Sequence, residues 1–372
     1  MPNTFTETQN TGWGSRLGNS FKSILVGIIL FLSSFGVLYW NEGRIDLSII
    51  AKTAEEIQID KNNPENDEKL ISASGKVQTN ASLEDNYLAA GKYLEIERKV
   101  EMFSWTERAS TSSEKNLGGS ETETTTYEYI KDWTENPRSS SSFKIPEEHH
   151  NPSKVLSSET KRVDRASIGS YKIHTADIKL PEKKLLKLNE QNTFLKDGWS
   201  LVSDNFLFQG KGLFQEPVIG DLRISYSAVF PEENMTIFGK LNEKNKEISN
   251  YYDERKNVNL YRLFNESRDA SIQTLHAEYK SSTWILRAVG FLMMWIGLSM
   301  LFKPFHVLFD VIPFLGSVSR GLISVASFIM AFILSLITII ISMILHNIIV
   351  LVIIISGSFG FAFWYKKKHD KK

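Results

Sequence analysis

Four histidines carry most of the chemistry this sequence could offer. His149 and His150 are adjacent, His174 stands near Asp177, and His276 is isolated. Neighbouring side chains on a regular strand point to opposite faces, so His149 and His150 cannot both bind one ion there. A third ligand would have to come from a distant residue such as His174 or Asp177, so no metal site is expected. The chain has 0 Cys, which excludes disulfides, thiolate metal sites and a cysteine nucleophile. No G-x-S-x-G, H-E-x-x-H or Walker-type motif is present. Gly118-Gly119 precedes no helical pattern, so a phosphate cradle is unsupported. Ser335, Thr338, Ser342 and His346 recur at helical spacing within an apolar run. Such residues can line a path, although hydroxyls also bond back to helix carbonyls. These readings predict no catalytic, cofactor-binding or metal-binding residue and no cofactor.

The elements that position these groups divide the chain in two kinds. Phe21–Trp40, Trp284–Phe302, Gly321–Leu345 and Ile348–Tyr365 are strongly apolar. Each is close to the ~20 residues a helix needs to cross a bilayer. They are apolar all round, unlike the one-sided stripe of a soluble helix. Between the first two runs lies a polar stretch with period-two patterning, long enough to bury its own core. Tyr93–Arg108 and Thr124–Thr134 alternate with Phe103, Trp105, Tyr127, Tyr129 and Trp133 as candidate core, joined by a long polar link, 109–123. Further strands are expected near 170–180, 206–209, 222–230 and 234–241, the last two forming a hairpin about Pro231–Asn234. Helices are expected over 47–57 and over 266–283, the second running into the apolar run at Trp284.

The predicted fold is α+β: four transmembrane helices and a large β-rich extracytoplasmic or lumenal domain. Its parts are a flexible tail (1–20), span one (21–40), the domain (41–283), span two (284–302), an interfacial loop (303–320), spans three (321–345) and four (348–365), and a basic tail (366–372). Arg16, Lys22, Lys303, Arg320 and the lysines after span four fall on one side by parity. The opposite turn, His346-Asn347, has no Lys or Arg. The positive-inside rule then places both termini in the cytoplasm. Arg287, one turn inside span two, is expected to snorkel to the interface. The 43 basic and 43 acidic side chains balance, against the basic footprint of a nucleic-acid binder.

Five stretches, taken in order, carry a family pattern. They are Asn41-Glu42-Gly43-Arg44; Val100-Glu101-Met102-Phe103-Ser104-Trp105; Tyr127-x-Tyr129-x-x-x-Trp133 with Phe143, His149, Asn151 and Pro152; Gly220-Asp221-Leu222-Arg223; and Trp284-x-x-Arg287-x-x-Gly290 with Pro304, Asp310 and Pro313. The ordered set resembles the LUMA family, also called transmembrane protein 43. The resemblance implies four spans, a lumenal domain, and residence in the endoplasmic reticulum and inner nuclear membrane of animals. It also implies association with lamins and emerin, self-association, and a role as a membrane organiser. Bacterial members exist, and the corresponding place would be the inner membrane. Asp370 and His369 occupy the positions a dilysine retrieval signal needs.

The functional expectation is therefore a multi-pass scaffold, not an enzyme, with the bilayer, a second copy and other membrane or envelope proteins as partners. The alternatives are a channel or transporter component using spans three and four, and a membrane-bound enzyme.

Overall fold

The computed structural model describes residues 3–311, 313–347, 351, 352 and 356. The expected span 348–365 therefore falls outside the described residues apart from 351, 352 and 356, as does the tail 366–372. The chain divides into two units. One comprises Met1–Thr6, Asp46–Ser110 and Thr126–His276; the other comprises Glu7–Ile45, Thr111–Thr125 and Ala277–Lys372.

The first unit is built on two sheets. In one, β1 (Thr4–Thr11), β4 (Glu121–Thr134), β3 (Glu95–Lys115), β6 (Leu222–Val229), β5 (Phe206–Gln209) and Ser200–Ser203 lie side by side. In the other, Glu55–Ile57, β2 (Leu70–Gly75), β7 (Met235–Asn242), Glu247–Ser249, Tyr171–His174, Arg165–Ile168 and Val77–Gln78 are neighbours. Alternating residues fill the cores. Ile96, Val100, Met102, Ile224 and Tyr226 pack with Trp199 and Leu207 under the first sheet. Ile71, Ala73, Ile173, Ile237 and Leu241 pack under the second, with Leu94 and Val229 in the same cluster.

Several expectations are corrected here. Residues 4–11 are not a flexible tail but a strand, whose start is anchored by the Tyr129 N–H donating to Asn3 O at 2.8 Å. The link 109–123 is mostly strand, because Thr and Ser side chains suit an extended ribbon and only 116–120 turns. Pro231–Asn234 links β6 to β7, but the two strands do not form the expected hairpin: β6 lies between β3 and β5, and β7 between β2 and Glu247–Ser249. Turn residues mark where a strand ends, whereas the choice of neighbour follows from which sheet buries each strand. The helix predicted over 47–57 forms only over Leu47–Ala51, capped by Asp46, and the chain becomes strand at Glu55.

The second unit contains α1 (Trp13–Glu42), most of α3 (Arg268–Leu301), α4 (Lys303–Phe309) and α5 (Pro313–His346), where α2 denotes Leu47–Ala51 in the first unit. Among the described residues three helices are long and apolar enough to cross a membrane, within Trp13–Ala51, Arg268–Leu301 and Gly321–His346. The helix expected over 266–283 runs on into the second span, as the sequence predicts, in one continuous α3. Small residues set the α1–α3 contact. A Cβ on Gly27 would lie 2.9 Å from Gly297 O, and one on Gly297 would lie 2.8 Å from Phe31 N. Such close approach is how helices associate where water provides no hydrophobic drive. The segment 303–320 is not a loop but α4 and the start of α5. Pro304 opens α4 and Pro313 opens α5, where a missing N–H costs nothing.

Candidate functional site

The motif positions gather into three clusters. The first lies on the β3–β6 pair of the first unit. Arg223 and Glu101 are direct cross-strand partners, and the Arg223 Nε donates to Glu101 Oε2 at 2.7 Å. The guanidinium also lies 4.7 Å from the Trp133 ring centre and 4.8 Å from that of Phe206. Phe103 and Phe214 complete the aromatic surround. Burial pushes the Glu101 carboxyl up, but Arg223 and Lys99 outweigh it and hold it below the usual carboxylate range.

Asn151 sits beside Trp105 and serves as a short substitute strand. It accepts from the Trp105 N–H at 2.7 Å and donates to the Trp105 carbonyl at 2.9 Å. Pro152 follows and touches the turn at Gly220, whose φ of +98° suits glycine. Asp221 then accepts from the N–H groups of Lys211, Gly212 and Val218 at 2.9, 3.1 and 2.8 Å. It thereby shapes the loop that carries Phe214. Trp105 and Trp133 are half-buried, so the aromatic stripe expected as core is partly a surface. Sequence reasoning missed Phe206 and Phe214, since nothing local marks them as neighbours of Trp133.

The histidine pair separates, although it stands at the end of a turn and not in a strand. His149 is buried and stacks on Tyr129 with ring centres 3.6 Å apart, its edge against Trp105, while His150 is exposed. Among the described residues no group of three or more His, Asp and Glu is arranged to hold a metal.

The second cluster is at the Glu42 end of α1. Arg287 donates to both carboxylate oxygens of Glu42 at 2.8 and 2.7 Å and lies over Trp284. The expected snorkelling gives way to a bidentate pair, because an acidic partner stands on the adjacent helix end. Asn41 is buried and donates to Thr283 O at 3.1 Å. Arg44 donates to Asn41 and to Ser282, at 3.3 and 2.6 Å, and faces the Trp40 and Tyr279 rings. The ring of His346 fills the space beside Gly43, and the Leu38 side chain the space beside Gly290.

The third cluster surrounds Asp310 at the other end of α1. Arg16 pairs with Asp310 and with Glu121, and Lys115 pairs with Glu121. Trp13 Nε1 donates to Val307 O at 2.8 Å. Charge counting places the hairpin link with the large domain, across the membrane from Arg16; these ion pairs bring its tip to the Arg16 end.

The hydroxyls along α5 serve the helices. Ser335 donates to Phe332 O at 3.0 Å, Thr338 to Leu334 O at 2.7 Å and Ser342 to Tyr39 O at 3.0 Å. None of these observations favours a conducting path.

The transmembrane protein 43 family matches residues 102–348 of the sequence. This chain belongs to the transmembrane protein 43 family. Transmembrane protein 43 of Mus musculus is 26% identical over 349 residues, covering 88% of this chain and 84% of the mouse protein. The Homo sapiens protein is 25% identical over 343 residues, with 86% and 82% covered. The Drosophila melanogaster homolog is 25% identical over 318 residues, with 78% and 79% covered. No solved structure matches the chain. The family match takes in the whole Arg223 cluster except Glu101, and Arg287 and Asp310 of the other two.

Proposed function

We propose that this membrane protein is a scaffold that associates with itself and with other membrane or envelope proteins through its large domain, without catalysis, cofactor or nucleic acid. One observation carries the reading. The Arg223 cluster ends in a half-exposed aromatic face, and Leu213 and Val218 on the loop held by Asp221 are 67% and 44% exposed. Its charges are matched internally, so the face offers apolar area and rigid rings, as interface cores do. In an animal cell the family resemblance favours the endoplasmic reticulum and inner nuclear membrane; in a bacterium the place would be the inner membrane.

The Lys and Arg placement supports a cytoplasmic Arg16 end and cytoplasmic termini. The hairpin tip shares that end through the pairing of Glu121 with Arg16 and Lys115.

The test is the mass of the full chain in mild detergent by light scattering. The wild type is expected to be oligomeric, and Leu213→Ser with Trp133→Ala to be smaller. A monomeric wild type, or an unchanged mass in the variant, would remove the basis for the scaffold reading.

A further inference from the structure

Two cavities of the second unit meet at Lys303 and His306. One, of about 300 Å³, is apolar and is walled by Trp295, Ile296, Ser299 and Met300 at the end of the apolar run of α3. The other, of about 500 Å³, is polar and is lined among others by Arg16, Lys115, Glu121 and Glu123. Lys303 and His306 line both. An apolar cleft and a polar chamber on either side of Lys303 and His306, at the end of a membrane helix, together match the two halves of an amphiphile.

The charges narrow the choice. Arg16 is matched by Asp310 and Glu121, and Lys115 by Glu121. Among the described residues Lys303 and Glu123 stand in no ion pair, which leaves the chamber one cation and one anion. A phosphate suits the first. The second suits a group that is positive and carries N–H donors.

We propose that this joint binds a glycerophospholipid with a zwitterionic, primary-amine headgroup, the phosphatidylethanolamine class. An acyl chain lies along Trp295, Ile296 and Met300, the phosphate meets Lys303, and the ammonium donates to Glu123. A choline headgroup has no N–H to give Glu123, and a glycerol headgroup leaves that carboxylate unmatched.

The full-length chain in detergent is mixed with phosphatidylethanolamine, phosphatidylcholine and phosphatidylglycerol of identical acyl chains, and retained lipid is counted by native mass spectrometry. The ethanolamine lipid is expected to bind about tenfold more tightly than either, the scale of one charge-assisted hydrogen bond. Glu123→Gln should bring the ethanolamine and choline lipids level, whereas Lys303→Gln should weaken all three alike. Unchanged thermal midpoints without added lipid show that both variants fold. Equal binding of the ethanolamine and choline lipids by the wild type overturns the proposal, as does an ethanolamine preference that survives Glu123→Gln. If soluble glycerophosphoethanolamine competes as well as the intact lipid, the apolar cleft has no part and the site is not a lipid site.

Discussion

Two arginines of this chain make nearly the same set of contacts in different solvents. Arg223 pairs with Glu101 and lies 4.7 Å over Trp133; Arg287 pairs with Glu42 and lies 4.9 Å over Trp284. Arg223 lies on the interior strand β6, but its side chain is 21% exposed in a domain set in water, so an orphaned guanidinium there can be rehydrated. Arg287 lies one turn inside an apolar helix run, where the alternative to Glu42 is the bilayer. The same geometry therefore has different worth, because an ion pair is measured against what each charge would find without the other.

The comparison predicts its largest effect at Glu42. Glu42→Ala leaves Arg287 unmatched and should destabilise the helix bundle by about 3–5 kcal/mol, the range for breaking a buried pair. Replacing both residues with leucine should recover most of that loss. Thermal unfolding in detergent checks both, and equal losses in the single and double variants would show that the pair is not the cause.

In the domain, His149→Ala should cost about 1–3 kcal/mol, since it empties a buried aromatic stack and leaves Tyr129 and Trp105 without their neighbour. Half-burial puts Trp133→Ala at about 2 kcal/mol on the same scale, below a fully buried tryptophan.

Glu101→Gln should cost about 1–2 kcal/mol, less than Glu42→Ala, because the amide oxygen can still accept from Arg223 and water reaches the guanidinium. This pair also sharpens the comparison through pH. Burial raises the Glu101 and Asp85 carboxyls, but Arg223 acts on the first, and Tyr226 and Arg98 on the second, to leave both below their ordinary values. A depressed folded pKa gives stability that is complete above the unfolded value, about 4, and lost as pH falls through the folded value. The thermal midpoint of the domain transition should therefore drop below about pH 4, and drop less steeply in Glu101→Gln. A midpoint that rises on acidification would contradict the sign. The smallest effect belongs to His150→Ala, within a few tenths of a kcal/mol, as for an exposed loop residue.

Much of the architecture was legible because it is local. An apolar run of membrane length needs no partner to announce itself, and the strand at Phe206–Gln209 was placed to the residue. The motif residues were legible as a set, but not their grouping. Nothing adjacent in the chain says that Asn151 will stand in for a strand beside Trp105, or that Glu42 will meet Arg287 from a distance of 245 residues.

By itself, then, the sequence determined which segments prefer lipid, which alternate as strands, and where the chain must turn, since hydrophobic period and turn chemistry act over a few residues. Only the tertiary structure decided that β6 and β7 part into different sheets, that residues 4–11 join a ribbon, and that Arg287 is matched rather than snorkelling. Each of those outcomes depends on which distant group supplies a hydrogen bond or a countercharge, and that is settled when the chain packs.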